Sequence, residues 1–170
     1  EKDRKERLLA CIDMATSFFE KELASNKEAL DYLKKRGLLD KTIKNWRLGF
    51  APKGWHFCEE YLISKGFKRE EMFDTGLIKK GEGGKIYDVF RSRIMFPIFD
   101  NAGRVIAFSG RIFGEEDKDT AKYLNTPETE IFKKSEVFYG YNVAKIAIRR
   151  LNFAIIVEGQ MDMLMSQQTG

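Results

Sequence analysis

The chain is poor in the residues that would mark several common chemistries. It has one histidine (His56), two cysteines (Cys11 and Cys58) and three prolines among 170 residues. A closed structural zinc site needs four Cys or His ligands, so none can be assembled within this chain. A disulfide framework is not expected either, and the two cysteines read as free thiols of a cytosolic protein. A triad hydrolase would have to use His56, which lies in Gly54-Trp55-His56-Phe57 without a nucleophile motif beside it. His56 is therefore read as a structural or surface residue. Long apolar runs are missing too: the longest strongly apolar stretch, Phe153 to Val157, is too short to cross a bilayer, and the N-terminus is a charged run. Neither a membrane span nor a secretory signal is expected in these residues. There is no initiator Met, and a chain opening on Glu1 is expected to be a piece of something longer.

What is present is a globular composition, 43% hydrophobic and 13% aromatic, carrying a net charge of +4. The charge is unevenly placed. Residues 79–111 hold seven basic and three acidic side chains, whereas residues 151–170 hold two acids and no base. A central positive region followed by isolated carboxylates is what a polyanion-binding surface beside a divalent-metal site would look like.

The front of the chain reads as helical. Leu8, Cys11, Ile12, Ala15, Phe18, Phe19 and Leu23 recur at spacings of three and four, the apolar face of a helix over about 4–24. Ser25 or Asn26 can cap a second helix that runs through Lys35, with Gly37 as a left-handed stop. Asp40 is expected to cap a third helix reaching Trp46, which Leu48-Gly49-Phe50-Ala51-Pro52 then breaks. Helices near 55–65 and 69–74 follow. Lys80-Gly81-Glu82-Gly83-Gly84 lacks the order of a phosphate loop and reads as a hairpin turn. Arg93–Phe99 and Arg104–Phe108 are strands joined by Asp100-Asn101-Ala102-Gly103, with Pro97 expected at an edge or a bulge. The stretch 114–121 reads as a polar loop, Tyr123 as a core aromatic, and about 141–150 as a helix.

The sharpest local pattern lies in the tail. Phe153 to Val157 are expected to form a buried strand running into Glu158-Gly159-Gln160-Met161-Asp162, after which a helix begins. In open α/β sheets the ligand site lies beyond the carboxyl ends of the strands, which would present Glu158 and Asp162 together. Two carboxylates there suit a hard divalent cation such as Mg2+. The spacing equally allows Asp162 to favour a helix N-terminus and Glu158 to be a loop acid.

Val157-Glu158-Gly159-Gln160-Met161-Asp162 resembles the first motif of the Toprim domain shared by bacterial primases, topoisomerases and some nucleases. Upstream, Arg93–Ile98, Gly103–Arg111, Lys122–Thr129 and Ile131–Lys134 resemble the signature blocks of bacterial DNA primase of the DnaG type, with Leu48–Pro52 and Gly54-Trp55 adding to the match. Order and spacing agree from about residue 40 onward. The resemblance implies a mixed α/β (α+β) fold: residues 1–150 as a basic subdomain with a helical front and an antiparallel sheet from about 86 to 139, then residues 151–170 as the first strand and helix of a Toprim domain. It implies a DNA-dependent RNA polymerase that lays down short RNA primers on single-stranded DNA template from ribonucleoside triphosphates. Glu158 then matches the catalytic, metal-associated glutamate and Asp162 the nearby acid, holding Mg2+ or Mn2+ with ligands from outside this chain. Arg111 and Lys122 match residues linked to template or nucleotide binding, as do Lys134 and the pair Arg91 and Arg93. Zinc would belong only to an absent N-terminal module, and a replicative helicase and a single-strand-binding protein would engage regions outside this sequence, in the bacterial cytoplasm at the nucleoid and replication fork. The family often has an aromatic where Gln160 stands. Without the later aspartate-rich metal motif, the fragment is expected to bind template but not to synthesise primers. Two other readings stand beside this one: a Toprim topoisomerase or nuclease, and a non-catalytic single-stranded nucleic-acid-binding module.

Overall fold

The computed structural model describes residues 2–114 and 120–170, so the polar loop expected at 114–121 lies for the most part outside the described residues. The first helix, α1 (Lys2–Ser25), buries every member of the apolar face read from its spacing. The Asn26 side chain accepts the Ala29 backbone N–H at 3.0 Å and so starts α2 (Lys27–Lys35). Gly37, at φ 92°, then turns the chain where a side chain would be strained. In α3 (Asp40–Asn45) the expected cap is displaced: Leu39 occupies the N-cap without a side-chain bond, while Asp40 sits in the first turn and pairs with Lys34 at 2.9 Å. Two further helices, α4 (Phe57–Ser64) and α5 (Arg69–Asp74), complete the front.

The front is not purely helical. Gly49–Ala51, read as a helix breaker, forms strand β1. A small hairpin follows, β2 (Ile78–Lys80) and β3 (Ile86–Asp88), joined by the glycine-rich turn. The main sheet adds β4 (Arg93–Phe99), β5 (Val105–Ile112) and β6 (Tyr123–Asn125) to β1 in the antiparallel order β1-β4-β5-β6. It therefore begins far earlier in the chain than expected and ends at Asn125.

Pro97 sits in an interior strand, and the register explains why it is tolerated. It stands opposite Phe108, whose N–H and carbonyl both face Thr126 on the far side. The Pro97 nitrogen must then point toward the β1 side, where pairing stops at Gly49 and Met95, so no ladder bond is lost. The expected irregularity lies beside it, as a register shift between Ile98 and Phe99.

The buried apolar side chains form two cores. One gathers α1, α4 and α5 with Met95, Ala107 and Phe108; the other gathers α2, α3 and Trp46 with Phe50, Ile94 and Phe96. α1 lies so close on β1 that a Cβ on Gly49 would stand 2.4 Å from the Phe19 Cβ.

After α6 (Tyr141–Leu151), which buries none of its residues, the tail departs from expectation. Phe153 to Val157 do not form a buried strand. They run without strand pairing and stay exposed, Ile156 to 83%. A strand requires a neighbour for its N–H and C=O groups and a layer over its side chains, and the described residues supply neither. The final helix, α7 (Gln160–Thr169), starts where expected. It does not stand apart from the front: Met161 and Leu164 enter the second core, and Gln168 accepts from the Leu39 N–H at 2.8 Å and the Thr42 hydroxyl at 2.6 Å while donating to the Gly37 carbonyl at 3.0 Å.

Candidate nucleic-acid interface

Arg111 is placed by the sheet. On β5 it stands opposite Ile94 of β4 and Tyr123 of β6, so these three side chains leave the same face. Its guanidinium lies 5.1 Å from the ring centre of Tyr32 on α2. Ile94 shares its core with Met161 and Leu164, so α7 covers the same face of the sheet. Tyr123, read as a core aromatic, is 37% exposed. β6 is a three-residue edge strand. Arg111 and Tyr123 thus bring a cation and an open ring together at the sheet's edge.

Lys122 precedes Tyr123, and strand alternation sends it to the opposite face, where Arg93 and Ile112 also point. Its ammonium-bearing side chain is exposed and its carbonyl accepts the Ile112 N–H at 2.9 Å. The structure therefore does not set Arg111 and Lys122 in one row. Arg93 differs from both: it is 5% exposed, and its guanidinium donates to the carbonyls of Gly110 at 3.0 Å, Ala121 at 3.0 Å and Lys122 at 3.4 Å. Burial, reinforced by neighbouring Arg91, lowers its pKa, yet arginine remains charged across the working range.

Arg91 builds a separate feature. Its guanidinium lies 4.3 Å from the ring centre of Trp55 and 5.0 Å from that of Tyr87, and it donates to the Asp88 carbonyl. Trp55 is 59% exposed and meets Tyr87 edge-on, with ring centres 5.5 Å apart. Lys85 and His56 line the same cavity of about 520 Å³. Beneath it, the Asp88 carboxylate accepts the N–H groups of Cys58 at 2.9 Å and Glu59 at 3.0 Å, which caps α4, and burial pushes its carboxyl up to about 6. Burial opposes ionisation of Glu59 as well, but hydrogen bonds from Arg69 and His56 hold its carboxyl below the usual range. His56, bonded to Glu59 at 2.9 Å, has the structural place expected of it. Trp55 and Tyr87 were missed as site residues by sequence reasoning. The available signal was a tryptophan flanked by Gly54 and His56 in a turn-rich stretch, a poor setting for a core residue.

Lys134 lies on an exposed 3-10 turn (Lys134–Glu136), its backbone N–H donating to Glu128, and no contact among the described residues links it to the other cations. Glu158 and Asp162 are both exposed at the start of α7, and neither forms an ion pair among the described residues. Asp162 folds back toward the N-cap: a Cβ on Gly159 would stand 2.9 Å from its Oδ2. Two hard oxygen donors of this kind fit part of a Mg2+ shell, which ordinarily keeps several waters. No cluster of three or more acidic, Cys or His residues poised for a metal occurs among the described residues.

Comparison with known proteins places this geometry. The family model for the N-terminal domain of the DNA primase catalytic core matches residues 18–145. The DNA primase of Pseudomonas putida is 43% identical over 167 residues, which cover 96% of this chain and 25% of that protein. The RNA polymerase domain of Mycobacterium tuberculosis primase DnaG, solved with a double-stranded DNA oligomer bearing a 6-nucleotide overhang, has a TM-score of 0.87 and 37% identity, covering 94% of this chain and 50% of that one. A DnaG primase catalytic domain bound to ssDNA gives a TM-score of 0.83 at 37% identity, covering 96% and 53%. The chain belongs to the family of the N-terminal domain of the DNA primase catalytic core. It spans about a quarter of the curated relative's length. The mixed helical and antiparallel-sheet fold expected from the resemblance is the one observed.

Proposed function

We propose that this chain works within a DNA primase, a DNA-dependent RNA polymerase that joins ribonucleoside triphosphates into short primers on single-stranded DNA for replication. What carries the reading is the family match over residues 18–145 together with the likeness to a primase catalytic domain bound to ssDNA. Residues 1–150 hold the template and residues 151–170 begin the metal-binding Toprim part, the two sharing the core that α7 enters.

Arg111 offers paired N–H donors to phosphate oxygens, and the exposed Tyr123 ring beside it gives a base a surface to stack on. Lys122 adds a mobile point charge on the other side of the edge, Arg91 one more cation over Trp55, and Lys134 a further exposed charge. Such contacts grip the backbone with little sequence reading, so binding falls steeply with salt. Glu158 and Asp162 would hold a Mg2+ or Mn2+ ion together with ligands from elsewhere in the protein. Bound there, the cation would neutralise triphosphate charge and acidify the primer hydroxyl. Asp162 sits in the first turn of α7, which rests against α2 and α3, and Glu158 lies two residues before that helix. Work at a replication fork, alongside a helicase and a single-strand-binding protein, follows from this reading.

Fluorescence anisotropy with single-stranded DNA across a salt series tests the template role. Arg111→Ala and Lys122→Ala should each weaken binding and flatten the log–log salt slope by about one. In the full-length protein, Glu158→Gln should lower templated ribonucleotide incorporation by about a hundredfold or more, the equivalent of several kcal/mol of charge stabilisation, while leaving DNA affinity near wild type. A full-length wild-type protein that makes no RNA on a DNA template would end the primase reading.

A further inference from the structure

Resting on the template-binding reading, we infer that Arg93 is a positioning residue that fixes Lys122 against the sheet instead of touching nucleic acid itself. Four observations carry this. The side chain is 5% exposed, too deep to reach a phosphate. Its terminal nitrogens are engaged by three carbonyls, of Gly110, Ala121 and Lys122. Those carbonyls belong to the residue before Arg111 and to the two residues that lead into β6, so a single guanidinium ties β5 to the segment that carries Lys122. Finally, position 110 is a glycine, and a Cβ there would stand 3.0 Å from the Arg93 Cδ and 2.8 Å from the Phe90 ring. The sequence leaves the space that the arginine fills.

The choice of side chain follows from geometry. A planar fork can donate in several fixed directions, whereas an ammonium is a compact point charge and cannot span carbonyls on two strands in the same way. Burying the charge is tolerable because carbonyl dipoles replace water around it. Without the fork, Lys122 keeps one tether to β5, its carbonyl to the Ile112 N–H. Residues 120–122 would then swing about that point, and the ammonium would lose its place relative to the sheet.

A positioning residue acts through the group it places, so a double-mutant cycle on single-stranded DNA affinity separates the two roles. Anisotropy with a labelled oligonucleotide is measured for Arg93→Lys, Arg93→Met, Lys122→Ala and the Arg93→Lys/Lys122→Ala double variant, with circular dichroism on each. Arg93→Lys and Arg93→Met should each weaken binding about three- to tenfold, Lys122→Ala about tenfold, and the double variant should be no weaker than Lys122→Ala alone. Retention of the charge in Arg93→Lys should not restore affinity. If Arg93→Met fails to fold, the Arg93→Lys arm runs the same cycle. A double variant weakened by the product of the single effects, or an Arg93→Lys variant that binds like wild type, overturns the inference while leaving template binding intact. A folded wild-type chain that binds no single-stranded DNA overturns the template-binding reading, and this inference with it.

Discussion

The guanidinium of Arg91 stands 4.3 Å from the ring centre of Trp55, and the tryptophan is nonetheless 59% exposed. A large aromatic held in place by a cation and exposed to solvent offers a surface on which an unpaired base could stack, because every base has a π-face and sequence matters little. Trp55→Ala should weaken single-stranded DNA binding by about 1–3 kcal/mol, the value of one stacked base, while Trp55→Phe retains most of it. Titration with oligonucleotide followed by tryptophan fluorescence reads the same contact, since Trp46 is buried and only Trp55 is open to quenching.

Asp88 gives the molecule an unusual acid. Its carboxyl is raised from 3.8 to about 6 by burial, against the opposing pull of two backbone N–H groups. A group raised on folding adds stability that is complete below its unfolded pKa and is lost as pH rises through the folded one. Wild type should therefore lose ground relative to Asp88→Asn between about pH 4 and pH 7, by up to about 3 kcal/mol. Glu59, Glu71 and Asp100, held below their usual range, contribute in the opposite sense in acid, so the quantity to follow is the difference between variant and wild type in denaturant melts across this window.

Gly49 permits the closest approach of helix and sheet. A Cβ there would stand 2.4 Å from the Phe19 Cβ and 2.8 Å from its backbone carbonyl carbon, with no flexible side-chain end to give way. Gly49→Ala should destabilise the fold by about 1–3 kcal/mol or more, measured as a lower midpoint of urea unfolding. Near-native stability in this variant would mean that α1 and β1 separate easily.

Besides the burial of Met161 and Leu164, one amide fastens α7. Gln168→Ala removes hydrogen bonds to Leu39, Thr42 and Gly37, each worth about 0.5–1.5 kcal/mol net. Backbone hydrogen exchange in α7 should rise while α1 remains protected.

The parts of this fold that were legible in the sequence are those where a local rule decides. The spacing from Leu8 to Leu23 specified the buried face of α1, Asn26 specified the start of α2, and Asp100 to Gly103 specified the β4–β5 turn. The primase resemblance was legible because its blocks are contiguous. What escaped was decided at a distance. Gly49–Ala51 is three residues long beside a proline, and only pairing with β4 makes it a strand. Arg93 reads as one more surface cation until the carbonyls that surround it, 17 to 29 positions away, are in place. Phe153 to Val157 carry a strand's composition, but composition supplies no partner.

The docking of α7 has a mechanical consequence. Leu151 ends one helix and Gln160 begins another, and the second is pinned through Gln168 to the turn between α2 and α3. Asp162, in the first turn of α7, is thereby moored to residues 37–42, whereas Glu158 lies outside the helix, next to the strand-like segment. α7 and the turn between α2 and α3 are thus fastened as one piece, and Asp162 is carried on it.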